Sequence, residues 1–209
     1  MNLKEASGVK LIFWEMNEIN FEYVDHYIKK GYLPNWKRLI DQHGLFKTTS
    51  EKKYDQIEPW IQWPTVRTGL SFREHRVYRL GDMINSKHKE HWEILKEQGF
   101  SVAAVSPMNS KNNAKGSCFW VPDPWVHTEI KGTNYISRFC RMIKQAVNDN
   151  SKEHLSFSSL IVIIETILFK TKINNFFTYI KLLVLSLFKK QHWSKAIFFD
   201  LLLSDVFCY

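Results

Sequence analysis

Val9-Lys10-Leu11-Ile12-Phe13-Trp14 runs directly into Glu15-Met16-Asn17-Glu18. A short apolar run rich in strand formers predicts a strand buried on both faces, hence parallel and central in its sheet. The run stops abruptly in carboxylates and an amide. Open α/β sheets bind their ligands just past the C-terminal ends of such strands. Glu15 and Asn17 are therefore candidate oxygen ligands for a divalent cation. The same stretch also reads as the start of a helix, with Asn20 as N-cap and Glu22 in the first turn. Both readings hold together, because the cap does not need Glu15.

Working outward, Phe21, Val24, Tyr27 and Ile28 share one face of a helix predicted over Asn20 to Lys30, with Gly31 ending it. Pro34 opens a second helix that carries Leu33, Trp36, Leu39 and Ile40 on one side and stops at Gly44. Leu45 to Thr49 reads as a second strand. Further on, Lys89 to Gln98 is predicted helical with Trp92 and Leu95 inward, Gly99 stops it, and Ser101 to Val105 forms another buried strand. The order of strands and helices predicts an α/β fold, a mainly parallel sheet with crossovers and flanking helices.

Between these elements, Glu58 to Asp82 concentrates reactive side chains beside rigid ones. Pro59 and Pro64 restrict the backbone and Trp60 and Trp63 supply bulk. Glu58, Gln62, Thr65, Thr68, His75 and Asp82 supply acids, hydroxyls, an amide and an imidazole. The stretch reads as a loop pinned by aromatic packing that delivers polar groups to a cleft; a packed irregular loop without chemistry is the plainer reading. Pro122-Asp123-Pro124-Trp125 holds an aspartate in a fixed extended loop, facing the same cleft or simply making a rigid turn. His88 and His91 fit a solvated helix face better than a metal site, since nothing nearby completes one.

The 209 residues suffice for a substantial core, and 44% hydrophobic with 24% charged residues is a globular composition. A net charge of +8 favours anionic partners, namely a phosphorylated substrate or an anionic membrane surface. The basic residues are scattered without a long run, so no nucleic acid is expected. Cys118, Cys140 and Cys208 lie far apart without metal-ligand spacing, which fits a reducing compartment. Met1 to Lys10 lacks the apolar centre of a secretory signal, and the N-terminal part reads as cytoplasmic.

From Gly132 the pattern turns helical: Tyr135 to Val147, Phe157 to Phe169, Asn174 to Phe188 and Ser194 to Phe207. The expected division is an α/β core over residues 1–131 and a helical insertion or tail over 132–209. Two runs, Leu160 to Ile164 and Leu182 to Leu185, are strongly apolar. Glu165 and Lys181 interrupt them before about 20 residues accumulate, which favours a buried or interfacial helical hairpin over a membrane span. Lys170, Lys172, Lys189 and Lys190 suit an anionic bilayer surface.

The run Gly31-Tyr32-Leu33-Pro34-Asn35-Trp36-Lys37-Arg38-Leu39-Ile40, ending at Gly44, resembles an early helix of the alkaline phosphatase superfamily, closest to its type I phosphodiesterase/nucleotide pyrophosphatase branch. Glu15 after the first strand, Thr65 to Gly69, and His75-Arg76-Val77 follow in the order of that branch, over about residues 9 to 107. The Glu58 to Trp63 run, Gly81-Asp82 and Pro122 to Trp125 resemble a bacterial subgroup of it. The resemblance implies two metal ions, zinc or manganese, that stabilise oxygens of a phosphate or sulfate ester. It implies Glu15 and Asn17 as metal ligands, Thr65 as nucleophile at a helix start, and Glu58 and Gln62 as orienting groups.

The sequence also departs from the pattern. Glu15 stands where the superfamily has Asp. The usual nucleophile position, counted back from Thr68-Gly69, falls near Pro59 or Trp60, and neither can attack. Arg76 replaces a small residue. No Asp-His pair or Gly-Asp-His run follows Asp123, so the chain resembles an N-terminal portion of a longer enzyme. The expected function is a metal-dependent hydrolase or transferase domain with an incomplete bimetal site. The alternatives are a non-catalytic binding module with a membrane- or partner-docking helical tail, and a helical membrane protein with a soluble N-terminal domain.

Overall fold

The structure is a computed structural model that describes residues 10–113, 115–148, 155–188, 191 and 193–207. Val9, Lys189, Lys190, His192 and Cys208 lie outside the described residues. The chain forms two compact units, Met1–Tyr78 and Arg79–Tyr209.

The first unit carries α1 (Phe21–Lys29), α2 (Pro34–His43), a 3-10 turn (Tyr54–Gln56), α3 (Pro59–Thr68) and α4 (Phe72–His75). Local chemistry explains each boundary. The Asn20 side chain accepts from the Glu22 and Tyr23 amides at 2.9 and 3.1 Å and so caps α1. Pro34 and Pro59 occupy the first turns of α2 and α3, where a missing N–H costs nothing. Ser71 and Glu74 form a capping box on α4. Phe21 meets Trp36 edge-on at 6.5 Å, joining α1 to α2, but neither helix has a buried residue. Ile61, Pro64, Arg67, His75 and Val77 are the buried centre of this unit.

The second unit runs from a 3-10 turn (Asp82–Asn85) through α5 (His91–Glu97), β1 (Ala103–Val105), β2 (Phe119–Val121), α6 (Asn134–Asn148), α7 (Phe157–Phe169), a 3-10 turn (Ile173–Asn175), α8 (Phe176–Leu187) and α9 (Trp193–Phe207). β1 and β2 pair in parallel, Ala103 opposite Phe119 and Val105 opposite Val121. The Trp92 and Trp120 rings meet at 5.1 Å beneath this pair, with Val102. The larger core belongs to the helices: Phe139, Met142 and Ile143 of α6, Val162 of α7, Tyr179 and Leu182 of α8, and Phe198 and Leu202 of α9.

The expected α/β fold with a mainly parallel sheet is overturned. Helix makes up 56% and strand 4%, and the sheet has two strands. Leu11 to Trp14 is not a buried central strand; it has no regular structure and Leu11 is 72% exposed. Leu45 to Thr49 likewise has no regular structure, and Phe46 is 86% exposed. An apolar run encodes a wish for burial, but a strand also needs pairing with other backbone, and neither run belongs to a strand among the described residues. Ser101 to Val105 does contain β1, although Val105 is exposed rather than buried. The Glu58 to Asp82 stretch is not one loop: its first part is α3, which tolerates Pro64 in its interior and ends at Gly69 in the left-handed region (φ 70°).

Candidate functional site

In the first unit α3 organises the predicted polar residues. Trp63 and Arg67, one turn apart, share a side of the helix. Arg67 Nη1 reaches Glu15 Oε2 at 3.4 Å, and Trp63 Nε1 donates to Asn17 Oδ1 at 3.3 Å. The segment after Trp14 is thus strapped onto α3 by one ion pair and one hydrogen bond. Both presumed metal ligands are occupied by this strap. Burial pushes the Glu15 carboxyl above its ordinary value, and the Arg67 guanidinium only partly offsets that. Glu15 Oε1 is buried with no hydrogen-bond partner among the described residues.

Thr65 leaves α3 from another side, about 160° around an ideal helix from Arg67. Its Oγ1 lies 2.9 Å from His75 Nε2 and 3.3 Å from the Ile61 carbonyl. His75 is buried, and its Nδ1 accepts the Val77 amide proton at 3.0 Å. That amide can only donate, so neutral His75 carries its proton on Nε2 and gives it to Thr65 Oγ1. The threonine hydroxyl in turn donates to Ile61 O. Every proton in the chain is directed away from activating Thr65: the imidazole lone pair needed to deprotonate it is already used.

The remaining candidates are placed locally. Gln62 Nε2 donates to Gln56 O at 2.6 Å, which joins α3 to the preceding 3-10 turn. Glu58 is the N-cap of α3, where its backbone carbonyl accepts from Ile61 and Gln62, while its side chain makes no cap bond. Glu15 and Asn17 therefore meet one side of α3 and Thr65 serves another. Among the described residues no three His, Cys, Asp or Glu side chains converge as a metal site.

In the second unit Asp123 makes a rigid turn rather than a reactive group. Its carboxylate accepts from the Asn109, Trp125 and Val126 amides at 2.5, 2.8 and 2.8 Å. Asn109, which follows β1 and is given no role by the sequence, accepts from the Gly81 amide at 2.8 Å and donates to Arg79 O at 3.1 Å. Burial pushes the Cys140 thiol up to about 12, which keeps it protonated and unreactive at neutral pH.

The helices of this unit carry the most unusual arrangement in the chain. On α7 the inward stripe is Ser159, Val162 and Thr166, whereas Phe157, Ile161, Ile164 and Leu168 face solvent. Ser159 Oγ donates to Gln145 Oε1 at 2.5 Å, and Thr166 Oγ1 bonds the Tyr135 hydroxyl at 2.8 Å. On α8, Tyr179 points inward and donates to Asp205 Oδ2 at 2.9 Å, whereas Phe177, Ile180, Val184 and Phe188, at the helix end, are exposed. Both helices bury apolar side chains, Val162 on α7 and Leu182 on α8, beside inward hydroxyls, and still leave large apolar side chains exposed on their outer faces, unlike a water-facing helix. Glu165, the one acid of α7, is paired with Arg138 at 2.8 Å. Lys170, Lys172 and Lys181 are exposed beside these stripes.

Compared with known proteins, the chain matches no family model, no curated protein and no solved structure.

Proposed function

We propose that this protein is a peripheral membrane-binding module that inserts the outward apolar stripes of α7 and α8 into the interfacial layer of an anionic bilayer. The observation that carries the reading is the row of large apolar side chains that each of these two helices leaves exposed. Exposed stripes of Phe, Ile, Leu and Val are costly in water and gain in lipid, about 1.5–3 kcal/mol for each large side chain fully buried. The exposed lysines beside them and the chain's positive charge suit acidic headgroups.

The insertion is interfacial rather than spanning. At 1.5 Å per residue, the 13 residues of α7 reach about 20 Å, against about 30 Å of hydrocarbon. No helix among the described residues is long and apolar enough to cross a membrane. The ester-hydrolase reading is not the one the geometry favours, because Glu15, Asn17 and Thr65 are engaged in separate structural bonds.

Flotation with vesicles tests the proposal. The protein is expected to float with phosphatidylcholine vesicles containing phosphatidylserine, to float less with phosphatidylcholine alone, and to be released by alkaline carbonate. Protein that stays at the bottom of the gradient with both vesicle types overturns the reading. So does protein that resists alkaline release, which would mean a span.

A further inference from the structure

We propose that the helical unit also binds a free long-chain fatty acid, with its chain in a pocket lined by α6, α7, α8, α9 and the loop after β2, and its carboxylate on Lys195. The cavity has a volume of about 940 Å³. Ligand pockets run from about 300 to about 1,000 Å³, so this one lies at the roomy end. Its walls are mostly aliphatic, among them Ile143, Val147, Leu160, Ile163, Leu182 and Leu203. Walls of this kind offer water few partners and suit an alkyl chain.

The polar groups on the lining decide what the head of the ligand is. Lys144 is committed, donating to Val126 O at 3.1 Å and lying 2.9 Å from His127 Nδ1. Gln145 is committed to Ser156 and Ser159. Lys195, half-buried on the same lining, makes no hydrogen bond or ion pair to any described residue. Lys195 is thus the cation on the lining left to pair with an anionic head. Asp200 shares the lining and argues against a second negative charge on that anion. A monoanionic carboxylate pairs with Lys195 and is repelled less by Asp200 than a phosphate dianion would be. The apolar walls then require a long alkyl chain behind the carboxylate.

The test uses the full chain without vesicles and palmitate below its micellar concentration, read by displacement of a fluorescent fatty acid and by calorimetry. One palmitate per chain is expected, with a Kd below about 10 µM. Methyl palmitate and hexadecylamine are expected to bind at least about tenfold more weakly. Lys195→Gln is expected to bring palmitate to the level of its methyl ester with the circular dichroism spectrum unchanged, and Ala146→Trp, which narrows the cavity, to weaken binding. Equal affinity for acid and ester, indifference to Lys195→Gln, or no displacement overturns the proposal. Ile164 and Phe177 do not line the cavity, so Ile164→Glu and Phe177→Glu are expected to leave palmitate affinity unchanged. Failure here and failure of vesicle binding are therefore distinguishable.

Discussion

Thr65 and His75 are joined by a 2.9 Å hydrogen bond whose direction is set by a third group, the Val77 amide on His75 Nδ1. The pair links α3 to α4 and closes the buried centre of the first unit. Thr65→Val removes an acceptor from a buried imidazole and is expected to cost about 1 kcal/mol. His75→Ala is expected to cost about 2 kcal/mol or more, because it also leaves the Val77 amide without its acceptor. In urea unfolding the double variant should be no less stable than His75→Ala alone. Additive losses would mean that the two residues do not act as a pair.

Glu15 predicts a pH dependence. Its carboxyl holds a proton more tightly in the folded chain than its ordinary value of 4.5. The native state then binds more protons than the unfolded one through this range. The stabilising contribution is complete below 4.5 and is lost as pH rises through the raised folded value. Stability measured by urea midpoint from pH 4 upward should therefore fall across that window, and Glu15→Gln should flatten the slope. Arg67→Met removes the charge that partly restrains the shift, so it should extend the loss to higher pH. An unchanged slope in Glu15→Gln assigns the titration elsewhere.

Arg76 closes α4 in the left-handed region, at φ 56°. An L-residue there carries roughly 1–2 kcal/mol of strain, and glycine carries none but has more freedom to lose on folding. Arg76→Gly should raise stability by up to about 1 kcal/mol, whereas Arg76→Val should lower it. Equal melting temperatures for the two variants would show that the backbone relaxes.

How much could be read beforehand depended on the range of the interactions involved. Asn20, Pro34, Gly31 and Gly44 act on their own neighbours, and the limits of α1 and α2 follow from them. The four C-terminal helices were legible from period and apolar density, α7 to the residue. Leu11 to Trp14 and Leu45 to Thr49 show the opposite case. Their composition is that of strands, but pairing depends on backbone elsewhere in the chain. Arg67 was invisible as a partner of Glu15, since 51 residues intervene and neither side chain signals the other. The outward turn of Ile164 and Phe177 was equally hidden, because both faces of those helices are apolar enough that periodicity does not say which one faces the core.

Asp205 is the polar anchor of the helical unit. Buried on α9, it accepts from Asn175 Nδ2 at 2.8 Å, Tyr179 Oη at 2.9 Å and the Lys172 amide at 3.2 Å. It therefore ties α9 to the turn before α8 and to α8 itself. Burial and the neighbouring Asp205 charge push the Tyr179 phenol far above its usual value. Asp205→Ala leaves three donors without an acceptor and should cost about 3 kcal/mol or more, whereas Tyr179→Phe should cost about 1 kcal/mol. Thermal unfolding followed by circular dichroism separates the two. Equal, small losses would mean that water replaces the carboxylate at no cost.

The exposed apolar rows of α7 and α8 make a prediction with two readouts of opposite sense. Ile164 is exposed on α7 and Phe177 on α8, so in solution neither contributes much to the folded state. Ile164→Glu and Phe177→Glu should therefore change the urea midpoint little, within about 0.5 kcal/mol. On a bilayer the same variants place a carboxylate where an apolar group inserted, at a cost of roughly 2–3 kcal/mol, or about 30- to 150-fold in partition. Lys172→Glu and Lys181→Glu should act by the charge alone, each weakening binding by roughly 1 kcal/mol per basic group removed, with a further loss from the acid introduced. That effect should shrink as added salt shortens the screening length. A soluble helix with merely untidy surface residues would give the first readout without the second. A helix whose outward residues really belong to the core would lose stability in both variants, and the exposed rows would then have been misassigned.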